Sequence, residues 1–223
     1  MAEHIGIFKG REKDYNELIL KTLLLKEIGN LPTAWQISKD VYEEKNPHLS
    51  LEQKRIEGYR ETQKIYSVFI RKNGRLNGLE SKGYIQCIVE NKKPVFAPTI
   101  KGTFATLIAY PDLIENISDT MKFDLQPFIE HSRKQLQKAS SKLAYFGVKI
   151  QIQRPAIYDE MIKHLLDRIK TKEGLFELVM TTKNALGHGL DLDSLSVEEF
   201  SVWLVTNKRF RIFIENLNEG AEP

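Results

Sequence analysis

The chain has 223 residues, 41% hydrophobic and 28% charged, a globular composition that excludes disordered, collagen-like and disulfide-stapled classes. A formal net charge of +3 selects no partner, and the lone Cys87 excludes an internal disulfide or a cysteine zinc site. No apolar run approaches the ~18 residues of a membrane span, and MAEHIGIFKGREK lacks the apolar stretch of a secretory signal, so a cytoplasmic protein with no membrane contact is expected.

Taken in chain order, residues 11–29 place Tyr15, Leu18, Ile19, Leu23, Leu25 and Ile28 at helical spacing, and Gly29-Asn30 ends that helix. Pro32 opens a second, shorter helix in PTAWQISKDVYEE, with Thr33 as its cap and Trp35, Ile37, Val41 and Tyr42 on its apolar face. Asn46-Pro47 breaks the pattern, and Ser50-Leu-Glu-Gln53 is a capping box for a third helical segment that runs towards Lys82.

In that segment Ile65, Phe69, Leu76 and Leu79 share one face, while Arg60, Lys64, Ser67, Arg71 and Arg75 lie on or beside the opposite one. Lys72 projects onto the apolar face, and Gly74 and Gly78 each cost a helix interior roughly 1 kcal/mol. Asn73-Gly74 is the alternative, a hairpin turn into a following strand; the lack of alternation in 75–82 and the Lys82-Gly83 cap favour a continuous helix. Tyr84–Glu90, a polar turn at Asn91-Lys92-Lys93 and Pro94–Pro98 then read as a β-hairpin, and Thr99 caps an apolar helix through TFATLIAY.

Charge follows this order. Residues 1–110 carry 18 Lys and Arg against 13 Asp and Glu, whereas residues 111–223 carry 15 against 17. Within the first half, residues 54–101 hold 11 basic against 4 acidic side chains, a footprint for phosphate if folding puts it on one face and a solvated lysine-rich surface if not.

The string Leu76-x-x-Leu79-x-x-Lys82-Gly83-Tyr84-Ile85, a short hairpin and Pro98-Thr99-x-Lys101-Gly102 resemble the recognition-helix end and wing of winged helix-turn-helix proteins, in particular archaeal transcriptional regulators. The first helix and LPTAWQISKDVYE resemble the two helices that precede them in that family, so the likeness spans residues 11–110. It implies a recognition helix in the major groove and a basic wing on the backbone of double-stranded DNA. On the matching positions, Ser67, Arg71 and Arg75 are the candidates for base or phosphate contact, and Lys64, Lys92 and Lys93 for phosphate alone. Two departures stand out: the stretch 44–61 is longer than the usual tight turn, and Gly74 and Gly78 interrupt the recognition segment.

Residues 111–223 read as helices at 112–121, 125–145, 156–170, 173–187 and 196–217, with a strand or extended linker where FGVKIQIQR at 146–154 alternates and a capping box at Ser196-x-x-Glu199. The fold class that emerges is mainly α with a small β-hairpin wing: a winged-helix domain over 1–110 and a helical domain over 111–223. Phe200, Trp203, Phe210 and Phe213 offer that second domain either a homodimer interface or an ordinary core, and the family resemblance favours the homodimer.

Catalytic and metal-site patterns are missing from the sequence. His4, His48, His131, His164 and His188 lack a second ligand at metal spacing, and no phosphate loop or nucleophile elbow occurs. GHGLDLDS groups His188, Asp191 and Asp193, but it reads as a turn with an Asp cap before the last helix, and Val202 occupies the position where a calcium loop needs Glu. The function expected is therefore transcriptional regulation through duplex DNA, without enzyme activity, cofactor or metal; no small-molecule effector is indicated. The alternative is a winged-helix protein-interaction module, which should expose an apolar patch on the third helix or the hairpin.

Overall fold

Three helices begin at capping boxes. Thr33 accepts from the Gln36 amide at 3.4 Å while Gln36 accepts from the Thr33 amide at 2.7 Å, and Ser50 with Gln53 and Ser196 with Glu199 repeat the exchange. The computed structural model describes residues 5–9, 13–25, 31–72, 74–115, 163–164, 167–169 and 171–206. Their elements, in order, are a 3-10 turn Gly6–Phe8, α1 Lys13–Leu25, α2 Ala34–Lys45, α3 Leu51–Ile70, α4 Arg75–Ser81, β1 Ile85–Glu90, β2 Lys93–Pro98, α5 Ile100–Ala109, α6 Lys172–Gly187 and α7 Val197–Thr206. Among the described residues the architecture is mainly helical with one antiparallel hairpin, as the sequence implied.

The long third helix is the main correction. It is two helices, α3 and α4, separated by residues 71–74, and the break is not a hairpin turn either. Arg71 leaves α3 in extended geometry at φ −60°, ψ 160°, and its carbonyl accepts from the Gly74 amide at 2.6 Å. The turn is too tight for a side chain at its last residue: a Cβ on Gly74 would lie 2.2 Å from the Phe69 carbonyl oxygen. Asn77 then closes the gap, its amide donating to the carbonyls of Arg71 at 3.2 Å and Lys72 at 3.4 Å. The break also frees Lys72, which an unbroken helix would press onto the apolar face and which is instead exposed. Ile65, Phe69, Leu76 and Leu79 still enter the core together.

Helix α4 ends in a Schellman motif, with the Gly83 amide on the Glu80 carbonyl at 2.8 Å and the Tyr84 amide on the Leu79 carbonyl at 2.9 Å. Gly83 has φ 73°, the left-handed conformation that motif needs. The hairpin runs from the Ile85–Pro98 pair to the Glu90–Lys93 pair, and its turn is Asn91-Lys92 alone, at φ 48° and 65°. Two left-handed residues make this a type I′ connection, which matches the strands' twist. Lys93 belongs to β2.

One core crosses residue 110. Ile19, Leu20 and Leu23 of α1, Ile37 and Val41 of α2, Phe69, Leu76, Leu79, Tyr84, Phe104 and Leu107 pack in the same cluster as Val179 of α6 and Phe200 and Leu204 of α7. Phe104 and Phe200 meet edge to face at 5.7 Å between ring centroids, and Phe200 stacks on Trp203 at 6.0 Å. Phe200 is thus core, the ordinary role such a stripe offered. Helix 173–187 is present as α6, and the last helix is seen to Thr206. Of 112–121 only 113–115 is described as helical; the segments 125–145 and 146–154, most of 156–170, and Phe210 and Phe213 lie outside the described residues.

Candidate nucleic-acid interface

The solvent face of α3 carries Arg60, Lys64 and Ser67, all exposed, and Arg71 follows at its C-cap. Ser67 donates its hydroxyl to the Gln63 carbonyl at 2.8 Å, which leaves lone pairs for an outside donor. Lys64 is ion-paired with Glu61 one turn away, an exposed pair of little strength that phosphate can replace. Arg75, expected on the same face, opens α4 beyond the break and is half-buried. Arg71 and Arg75 therefore do not occupy successive turns of one recognition helix. The basic row of α3 ends at Arg71.

The wing residues Lys92 and Lys93 are exposed at the hairpin tip, Lys92 in the turn and Lys93 opposite Glu90. Lys82, at the hairpin's base, is also exposed, with its ammonium 4.0 Å from Asp193. Cys87 is exposed on β1; partial burial, then the Glu80 carboxylate, raises its thiol pKa and keeps it a poor nucleophile.

At the wing's base lies a polar joint whose reach to Asp193 and Leu195 no motif in the sequence foretells. Lys101, fully buried in the first turn of α5, donates to the carbonyls of Lys82 at 2.7 Å and Leu195 at 2.6 Å, and its ammonium sits 4.4 Å from the centre of the Tyr84 ring. Burial lowers its pKa, and Asp193 and Asp191 offset part of that shift. Asp193 accepts from the Tyr84 hydroxyl at 2.9 Å and from the Gly6 amide at 2.6 Å. Tyr84 is pushed well above the usual phenol range, first by burial and then by the Asp193 charge.

The two strings that carried the family resemblance meet here. Thr99 donates to the Gly83 carbonyl at 2.6 Å and accepts from the Gly102 amide at 3.0 Å, while a Cβ on Gly102 would lie 1.9 Å from the Tyr84 carbonyl oxygen. Lys82-Gly83-Tyr84 and Thr99-x-Lys101-Gly102 are two sides of one close-packed contact that sets the wing's base against α4. GHGLDLDS has a larger part than the turn expected of it: Asp191 accepts from the Asp193 amide at 3.0 Å, and Asp193 locks the turn onto the wing base. The cap of α7 is Ser196, not an aspartate. A pairing of Asp193 with Tyr84 spans 109 positions, and only the two aspartates between glycines could have drawn attention to it.

No family model, curated protein or solved structure matches the chain. No helix among the described residues is long and apolar enough to cross a membrane.

Proposed function

We propose that the protein binds duplex DNA as a cytoplasmic transcriptional regulator of the winged-helix kind, with the basic face of α3 presented to the major groove and the β1–β2 wing on the phosphate backbone, although the string that resembles a recognition-helix end closes the short α4 and not α3. The observation that carries this reading is the exposure of Arg60, Lys64, Ser67 and Arg71 on one solvent face of α3, together with Lys92 and Lys93 at the tip of the hairpin. Arg71 supplies the fork that can bond guanine bidentately, while Lys64, Lys92 and Lys93 act as point charges on phosphate. Arg75, half-buried beyond the break, contributes less to contact.

Incubation of the purified chain with sheared genomic DNA at low salt, followed by recovery and sequencing, tests this reading. A shared motif among the recovered fragments is the expected result. Recovery no greater than with beads alone overturns it.

A second reading has its own observation. Ile56, Tyr59 and Ile70 on one side of α3 are exposed, as are Leu51 elsewhere on that helix and Val89 on the hairpin, apolar side chains on the elements where a winged-helix interaction module would present its patch. In that reading the same domain docks on protein and DNA recovery fails.

A further inference from the structure

Helix α3 carries two solvent-facing stripes, and the DNA reading uses only the basic one. Ile56, Tyr59, Gln63, Tyr66 and Ile70 follow one another at alternating steps of three and four, the spacing that keeps side chains on a single seam. Ile56 is 75%, Tyr59 69% and Ile70 44% exposed, Gln63 is exposed and Tyr66 half-buried. Trp35 of α2 supports the stripe from beneath, 5.5 Å from the Tyr59 ring and 5.6 Å from that of Tyr66. Two phenols fixed in this way lose little freedom on docking. No charged residue falls on the seam between Ile56 and Ile70.

The composition of the stripe indicates what covers it. Ile, Tyr, Gln, Tyr, Ile is the same in either direction about Gln63. A two-fold interface requires a patch that matches its own inverted copy, a condition no unrelated partner imposes. We propose that a second copy of this chain covers the stripe, α3 lying antiparallel on α3 with the two-fold axis at Gln63. Ile56 then packs on the partner's Ile70 and Tyr59 on the partner's Tyr66. Gln63 meets the partner's Gln63, and two carboxamides that each donate and accept satisfy one another.

The charges agree with this choice. At 100° per residue the row Arg60, Lys64, Ser67 and Arg71 is centred about 90° round the helix from the apolar seam, so the pairing leaves it facing solvent; two helices side by side are too wide for the ~12 Å major groove, so the paired chain and the chain with α3 in the groove are alternative states. A two-fold axis normal to the plane of the two helices leaves both basic rows on the same side of the pair. Like charge along that shared edge makes the dimer tighter as salt rises, opposite to the trend for DNA. The seam spans about 21 Å of helix, a contact smaller than the ~1,600 Å² of a standard complex, and the expected affinity is about micromolar. The proposal does not depend on the DNA reading: its failure would leave DNA binding by a monomer untouched.

The test is cysteine cross-linking of the full chain in a Cys87→Ser background, alongside sedimentation velocity across micromolar concentrations. Under mild oxidation Gln63→Cys should form a disulfide-linked dimer, because only a residue on the axis meets its own copy. Ile56→Cys should link to Ile70→Cys when the two are mixed but not to itself, and Ile56→Glu should weaken self-association at least tenfold with the helical circular dichroism unchanged. Self-linking of Ile56→Cys at the efficiency of Gln63→Cys, or a dimer indifferent to Ile56→Glu, overturns the proposal. So does a monomer, whether the thiol introduced by Ile56→Cys is alkylated freely or is shielded by the rest of the chain.

Discussion

Replacing Lys101 by Met keeps the length and apolar stem of the side chain and removes only the ammonium. Two buried carbonyls, those of Lys82 and Leu195, then lose their donor, and Asp193 loses a buried positive charge that it acts on. An orphaned buried carbonyl costs about 1–3 kcal/mol, and breaking a buried charged contact costs about 3–5 kcal/mol in all. Offsetting this, the wild-type ammonium already bears a desolvation cost that its lowered pKa reports, so the lower end, about 3 kcal/mol, is the working figure. Urea unfolding followed by far-UV circular dichroism reads it as a fall in midpoint at constant slope. The sign with pH is also fixed. A lysine whose folded pKa lies below its unfolded value of 10.5 makes the unfolded chain the better proton binder, so this contribution to stability rises with pH towards 10.5. In Lys101→Met that rise disappears. A loss below about 1 kcal/mol would refute the joint as the element that ties the wing base to the turn before α7.

Further expectations concern the same joint and the break before α4. Above pH 10 unfolded tyrosines ionise while Tyr84 keeps its proton, so wild-type stability falls there, and Tyr84→Phe should be less stable near neutrality but lose less on going alkaline; equal slopes would contradict the burial of the phenol beside Asp193. Gly78 is exposed in α4 with open space at its Cβ, so Gly78→Ala should stabilise by about 0.5–1 kcal/mol in urea. Gly74→Ala should do the reverse, because its Cβ meets the Phe69 carbonyl, and a neutral result would mean that the chain turns differently between α3 and α4. Cys87 should react with iodoacetamide more slowly at neutral pH than an unhindered model thiol, despite its exposure.

Much of the fold is legible because its signals are local. Thr33, Ser50 and Thr99 sit at the starts of helices with the partner three residues on, and Lys82-Gly83 ends one with the residue type that most readily takes φ 73°. The hairpin's position could be read from two apolar runs, although its turn is one residue shorter than Asn91-Lys92-Lys93 suggests, since Lys93 pairs with Glu90. The break at 71–74 had symptoms, Lys72 on the wrong face and glycines in a helix, but its cause is a close approach of Gly74 to the backbone of Phe69. The same break removes Arg75 from the row that helical periodicity assigned to it. Lys101 and Asp193 were beyond reach, because residues 92 positions apart in the chain leave no periodic trace of a shared contact, and a lysine beside an apolar run reads as surface.

Duplex binding as a function of salt tests the central claim most directly. Fluorescence anisotropy of a labelled genomic fragment should show log affinity falling linearly with log salt, with a slope of about −0.9 for each phosphate contacted. Arg71→Ala combined with Lys92→Ala and Lys93→Ala should flatten that slope by about 2–3 units while leaving the urea midpoint unchanged. No binding at low salt, or an unaltered slope in the triple variant, would contradict a DNA interface built from α3 and the wing.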